Sequence, residues 1–376
     1  MSVKKRNPAA DVVRVFAFFC VISVHFFFNN GFYKHPIVGE KMLVMTVIRS
    51  FFMICVPLFL ILSGFLMRKK TLSKDYYKKV SKVIITYILA SIACLLYAVF
   101  ALNEDITFKD AFFKILGFSG APYGWYIEMY LGLFLLIPFL NMAYNNTPSR
   151  KWKLGLIITF VVLTSLPSVM NVYNFKTAEW WLMPSSSASY NQLIPAWWDG
   201  MYPITYYFIG CYLSEYGLKI NKKLNFALII LCTLGSGAYS FWRSYNKTFI
   251  WGDWGQYPSL FTVVLATLVF AFLININYEK VPDKLSLLIQ KISGLSLGGY
   301  LLSWIFDTEF YPVLAEKVPL VTDRLVYYFV MVPLVFVLSA VASYLLSRVQ
   351  WLVEKLIALA VGLFSKKQTK QISNAK

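Results

Sequence analysis

Ten apolar stretches alternate along the chain with short polar segments. They cover roughly 10–29, 44–66, 80–101, 123–142, 154–170, 202–215, 225–242, 258–275, 292–310 and 325–346. Most are near 20 residues, the length at which an α-helix crosses the hydrocarbon core of a bilayer. The pattern predicts an all-α, polytopic integral membrane protein with about ten transmembrane helices. The sixth stretch is short, and Pro203 stands near its start. The first has no small-residue cleavage site behind it and reads as a retained helix rather than a signal peptide. After the tenth, the run WLVEKLIALAVGLF at 351–364 is too short to span comfortably. It reads as an amphipathic helix on the membrane surface, followed by a disordered basic tail. The expected organisation is an integral membrane domain over 1–350 and a cytoplasmic helix and tail over 351–376.

Composition supports the pattern. The chain is 58% hydrophobic and 14% charged, and its mean hydropathy is +0.59. A soluble protein of this size has nowhere to bury so much apolar surface. The net charge of +18 would suit nucleic acid if it formed a patch, but the basic residues are spread among short loops. One alternate set of segments comprises the N-terminus, 68–82, 150–153, 219–223, 280–291 and the C-terminus. With Arg14, Asp11, Glu215 and Glu279 at their edges, these segments hold 26 of the 36 Lys and Arg and 6 of the 18 acidic residues. The other set holds 10 basic and 12 acidic residues. Cytoplasmic loops carry the excess of Lys and Arg, so both termini are expected in the cytoplasm, and no nucleic-acid partner is expected. The five cysteines lie in apolar runs without metal-ligand spacing. They read as small buried hydrophobes, with no disulfide framework and no metal.

Ionisable residues inside apolar runs carry the candidate chemistry, because a charge in the bilayer centre costs on the order of 3 kcal/mol. The first stretch holds Asp11 and Arg14 at its start and His25 near its end. Three helical turns separate Arg14 from His25, which places both on one side, roughly 16 Å apart. Asp11 shares that side, one turn before Arg14. The charge pattern puts Arg14 at the cytoplasmic end and His25 at the outer end. Such a pair serves two ends of one cavity or one long ligand. The simpler reading is an arginine that snorkels to lipid phosphates and a satisfied interfacial histidine. Glu128, about six residues inside the outer end of the fourth stretch, lies near the depth of His25. It is the expected carboxylate partner of His25, with pairing to Arg49 as the alternative. Asp307 and Glu309 stand at a similar level with greater expected exposure. The longest outer segment, about 171–201, carries Trp180, Trp181, Trp197 and Trp198. These form either an interfacial aromatic belt or a platform on which sugar C–H faces stack.

Several of these residues fall in a recognisable order. Arg14 and His25, with ten residues between them, resemble the Arg-x10-His motif of the membrane-bound acyltransferase 3 family, and Asp11 matches the acidic residue that commonly precedes it. The segment VPLFLILSGFLMRKK resembles the family's Phe-rich run closing on Ser63-Gly64-Phe65-Leu66. In YYKKVSKVIITYI, Lys79 and Lys82 stand where the family's Arg-x-x-Arg signature has arginines. GWYIEMYLGLFLLIPFLN, YYFIGCYLSEYGL and ISGLSLGGYLLSWIFD are similar to three later family segments. Gly299-Tyr300-Leu301-Leu302-Ser303-Trp304 lacks the histidine often found in the last of them. Lysine at 79 and 82 keeps the charge but loses the bidentate fork.

The resemblance implies transfer of an acyl group, usually acetyl, from cytoplasmic acyl-CoA to a hydroxyl of a cell-surface carbohydrate, at a bacterial-type cytoplasmic membrane. His25 is then the general base and Glu128 its partner. Arg14, Arg68, Lys79 and Lys82 are expected to hold the CoA moiety, with Asp11 orienting Arg14. Lipid-headgroup contact is the alternative for the basic cluster. Ser63 and Tyr126 are candidate donors to the thioester oxygen, and the four tryptophans face the acceptor. Expected partners are membrane lipid, the carbohydrate acceptor and proteins of polysaccharide synthesis. A multispan transporter or exporter, or a non-catalytic subunit of polysaccharide synthesis, is the competing class. A transporter is expected to show broken helices and inverted repeats.

Overall fold

The computed structural model describes residues 7–186 and 189–374. Lys4, Lys5 and Arg6 at the N-terminus, Ser187 of the outer segment and Lys376 of the tail lie outside the described residues. The described chain is helical and contains no β-strand. Two isolated bridges, Pro36 with Thr248 and Ile37 with Tyr245, tie two of its loops together.

Helix α1 spans Pro8–Asn29. Asn7 caps it by accepting a hydrogen bond from the Ala9 N–H at 3.1 Å, and Pro8 fills the first helical position, where a missing N–H does no harm. The expected second span forms as two pieces, α2 over Glu40–Phe52 and α3 over Cys55–Met67. Pro57 explains the interruption: it offers no N–H, and its ring crowds the carbonyl four residues back, at Met53. The other α-helices longer than five residues are α4 (Val80–Phe100), α5 (Phe108–Leu116), α6 (Trp125–Asn145), α7 (Arg150–Thr164) and α8 (Tyr202–Tyr216). They continue with α9 (Lys222–Ser244), α10 (Leu260–Ile274), α11 (Asp283–Lys317) and α12 (Tyr328–Asn374).

Eight segments among the described residues are long and apolar enough to cross a membrane: those containing α1, α2 with α3, α4, α6, α9, α10, α11 and α12. Helices α7 and α8, at the expected fifth and sixth stretches, have 15 residues each. At 1.5 Å per residue they are about 22 Å long, short of the ~30 Å hydrocarbon core. α12 continues without a break through 351–364 to Asn374. The surface helix expected there is thus an extension of the last apolar helix, which also carries through the tail expected to be disordered. Ile84, Ile88, Ile92, Leu96 and Phe100 recur every fourth residue on α4 and are all exposed. An apolar stripe of that size is the face of a helix against lipid.

The core is built around α1. Val13, Ala17, Phe18, Ile22 and Phe26 are fully buried, and α1 packs on α3, α11 and α12. The Phe18 ring lies 4.8 Å from that of Phe336. Helices α3 and α8 cross closely at two glycines. A Cβ on Gly64 would stand 2.0 Å from the Tyr207 carbonyl oxygen, and one on Gly210 2.0 Å from that of Ile61. Only glycine on both helices permits that approach, as at small-residue crossings of membrane helices in general. The crossing anchors short α8 against the span that borders the site. All five cysteines are free thiols; four are buried and Cys232 is partly so.

Candidate active site

His25 lies one turn inside the C-terminal end of α1. Its ring sits 3.9 Å, centroid to centroid, from that of Tyr123. Nδ1 stands 3.4 Å from Asp307 Oδ2 and 3.5 Å from Ser303 Oγ. Ser303 and Asp307 are four residues apart on α11, so a single helix face presents both. Tyr123 donates its hydroxyl to Asp307 Oδ2 at 2.8 Å. Asn29 Nδ2 donates to the Tyr123 hydroxyl at 3.2 Å and to the His25 carbonyl at 2.9 Å. The Tyr300 hydroxyl donates to the Tyr123 carbonyl. His25 is therefore gripped from three sides, by α1, α11 and the segment that leads into α6.

Asp307 is 1% exposed, and its Oδ1 has no hydrogen-bond partner. Among the described residues His25 is the one basic side chain within ion-pair distance of it. A buried carboxylate without an arginine or lysine carries a large desolvation cost, which makes Asp307 a candidate functional residue. Asp307 faces Nδ1, so a proton on Nδ1 would point at the carboxylate and leave Nε2 as the acceptor. His25 borders a cavity of about 410 Å³ whose wall includes Tyr123, Trp125, Trp251, Tyr257 and Trp304. Met53, Cys55 and Val56, at the break between α2 and α3, line it as well. Irregular backbone at membrane depth is tolerated where it borders a cavity.

Arg14 occupies the other end of α1. Its Nη1 donates to Ser293 Oγ at 2.7 Å and lies 3.4 Å from Asp11 Oδ1. Ser293 in turn donates to Asp11 Oδ1 at 2.6 Å. A second cavity, of about 220 Å³, is bounded by Arg14, Ser63, Tyr126 and Tyr130 among apolar side chains. Met67 and Val83 also line it, and these are the chain neighbours of Arg68 and Lys82. Lys79 and Lys82 are exposed, and Lys79 stands one turn before Val83. Arg68 Nη1 is 3.4 Å from Glu215 Oε2, a carboxylate that also takes a 2.9 Å contact from Lys153. The two cavities have three residues in common, Val21, Val56 and Tyr300.

The acyltransferase domain family matches residues 7–348, nearly the whole chain. The chain belongs to the acyltransferase 3 family. No curated protein and no solved structure matches it. The arginine and histidine of the family motif thus line two cavities placed in sequence along one helix.

In this acyltransferase the expected partner of His25 is replaced. Glu128 is exposed, on the face of α6 that also carries Leu135, Leu136 and Phe139. Among the described residues it makes no ion pair with His25 or with Arg49. Arg49 instead donates to the Tyr33 hydroxyl at 3.0 Å and the Gly255 carbonyl at 2.8 Å, and its guanidinium lies 5.3 Å from the Trp251 ring. Asp307, expected to be the more exposed acid, is the buried one. The apolar stretch ends near residue 310, but α11 runs on to Lys317, so Asp307 lies inside the helix and the bundle. Its spacing from Ser303 within an apolar run was the available signal. Glu309 is exposed and takes a hydrogen bond from the Tyr97 hydroxyl.

The tryptophan assignment also shifts. Trp180 is buried, with the Arg243 guanidinium 4.9 Å from its ring, and Trp181 stacks on Tyr173 at 5.4 Å. Trp197 and Trp198 are exposed. None of these four borders the His25 cavity, where Trp125, Trp251 and Trp304 stand instead. Ser63 donates to the Phe59 carbonyl at 2.8 Å, while Tyr126 stacks on Tyr130.

Proposed function

We propose that this acyltransferase moves an acyl group, acetyl first among them, from cytoplasmic acyl-CoA to a hydroxyl of an extracytoplasmic cell-surface carbohydrate. The observation that carries the reading is His25 beside the buried Asp307, in a cavity that shares three lining residues with the Arg14 cavity. The proposal takes α7 and α8 as short spans, which gives ten crossings of a bacterial-type cytoplasmic membrane and places both termini in the cytoplasm. The CoA phosphates then stay near Arg14, Lys79 and Lys82, and the pantetheine arm runs along the Arg14–His25 face. Arg68 contributes less than a free cation, because Glu215 already neutralises part of its charge.

A sugar hydroxyl is a weak nucleophile until a base takes its proton in the transition state. His25 Nε2 accepts that proton as the hydroxyl oxygen bonds to the thioester carbonyl carbon. Asp307 stabilises the imidazolium so formed, as the buried acid of a catalytic triad does. The C–S bond then breaks, and the proton passes from Nε2 to the CoA thiolate. Trp125, Trp251 and Trp304 offer apolar faces to the acceptor ring, and Gln256 and Asn29 offer amides to its hydroxyls.

The broken second span favours one competing reading, a transporter, since such helices hold substrate sites in that class. One assay separates the two. Membranes containing the wild type are expected to transfer label from acetyl-CoA to carbohydrate, and His25→Ala membranes to lose that transfer. Full O-acetylation by His25→Ala removes the mechanism. Solute accumulation with no acyl transfer by the wild type establishes the transporter reading.

A further inference from the structure

Helices α1 and α11 run in the same direction. Asp11 and Arg14 of α1 meet Ser293 of α11, and further along both helices His25 meets Asp307. Their C-terminal ends therefore lie on the same side of the bundle. Each end carries carbonyls without intrahelical partners and a partial negative charge, so the two ends repel each other. Arg324 joins them. Its Nη1 donates at 2.5 Å to the carbonyl of Asn30, the C-cap of α1. Its Nε donates at 2.7 Å to the carbonyl of Val318, the C-cap of α11. Its Nη2 donates to the carbonyls of Ala315 at 3.2 Å and Pro319 at 3.0 Å. The side chain is buried, and all four acceptors are backbone carbonyls. Gly31, at φ +90°, turns the chain out of α1 beside it. A Cβ there would stand 3.1 Å from Arg324 Nη1.

Helix α11 needs an external hold near the site. Pro312 lies inside it, five residues after Asp307. Proline has no N–H, so the carbonyl of Thr308, the residue next to Asp307, loses its helical bond. Beyond that point the end of α11 meets α1 through the Phe26 and Tyr311 rings, 5.8 Å apart, an apolar contact with no fixed direction. The hydrogen bonds among Asp11, Arg14 and Ser293 fasten the opposite end of the helix pair. We infer that Arg324 is a positioning residue: by tying the C-terminal ends of α1 and α11 together it fixes their axial register and so keeps Asp307 beside His25 Nδ1. The inference rests on the proposed catalytic use of that pair.

The chain contains two histidines, His25 and His35. Uniform 15N-histidine labelling of the full-length protein in nanodiscs therefore gives two sets of ring signals, which His35→Gln assigns. Asp307→Asn defines the His25 ring shifts once the carboxylate is lost. Arg324→Met is expected to move the His25 shifts most of the way towards those of Asp307→Asn. It should also lower kcat about tenfold or more and leave KM for acetyl-CoA within about twofold. Arg324→Lys keeps the charge, but one ammonium has three donors and no planar fork to span both helix ends, so it should fall between. Wild-type His25 shifts in folded Arg324→Met overturn the inference, because a merely structural role lowers Tm and leaves the shifts in place. If Arg324→Met does not fold, Arg324→Lys decides, and wild-type shifts and kcat in that variant overturn it. Displaced shifts with an unchanged kcat uphold the clamp and overturn the catalytic use of His25.

Discussion

At the scale of single residues, the decisive pair is His25 and Asp307. Replacing Asp307 by Asn keeps the shape of the site but removes the charge that holds the Nδ1–H tautomer. Acyl transfer by Asp307→Asn is expected to fall on the order of 100-fold or more in kcat, with a smaller change in KM for acetyl-CoA. Asp307→Glu should recover part of the loss, which a packing defect alone would not allow. Glu128→Gln, by contrast, should stay within about twofold of the wild type, because that side chain faces away from the cavity. Steady-state kinetics on the three variants checks the reassignment; a large loss in Glu128→Gln with none in Asp307→Asn would restore the partner expected from sequence. Trp251→Ala is expected to weaken acceptor use severalfold while Trp197→Ala leaves it unchanged, since Trp251 borders the His25 cavity and Trp197 does not.

At the scale of elements, the contact between α3 and α8 explains two glycines within the family-like segments. Gly64→Ala or Gly210→Ala drives a methyl group into a backbone carbonyl. A clash with backbone cannot be relieved by a rotamer change, so a loss at or above the usual 1–3 kcal/mol of overpacking is expected. Thermal unfolding in detergent should show it as a clear drop in Tm or a failure to purify. Gly132→Ala and Gly155→Ala, where an added Cβ meets nothing within 4 Å, serve as the controls and should be neutral or slightly stabilising. The break between α2 and α3 belongs to this scale too. Pro57 was visible in the sequence inside an apolar stretch long enough for one helix, but only the packed bundle shows that the resulting turn borders the cavity.

For the whole molecule, the two cavities lie in sequence along α1, and each is completed by other helices. Arg14→Ala should raise KM for acetyl-CoA more than KM for the acceptor, because Arg14 borders the smaller cavity and not the one that holds His25. A selective effect on acceptor KM would reverse the proposed polarity of the route. Protease or tag accessibility in sealed vesicles tests the same polarity directly, with both termini expected on the cytoplasmic side.

The linear order of residues determined the helical class, the membrane setting and the shared face of Arg14 and His25. These depend on local quantities: the length of apolar runs, the helical period and the sum of loop charges. Family-like spacing pointed to the same two residues for the same reason, since both lie within one helix. Tertiary structure decided what stands beside them. Asp307 reaches His25 from 282 positions further along the chain, and Glu128 misses it by facing outward, a choice set by how α6 and α11 rotate against their neighbours. Which tryptophans meet the cavity, where the second span breaks and how closely α3 and α8 approach are likewise consequences of packing. Burial of a carboxylate is a property of the assembled bundle, and no window of sequence contains the atoms that bury it.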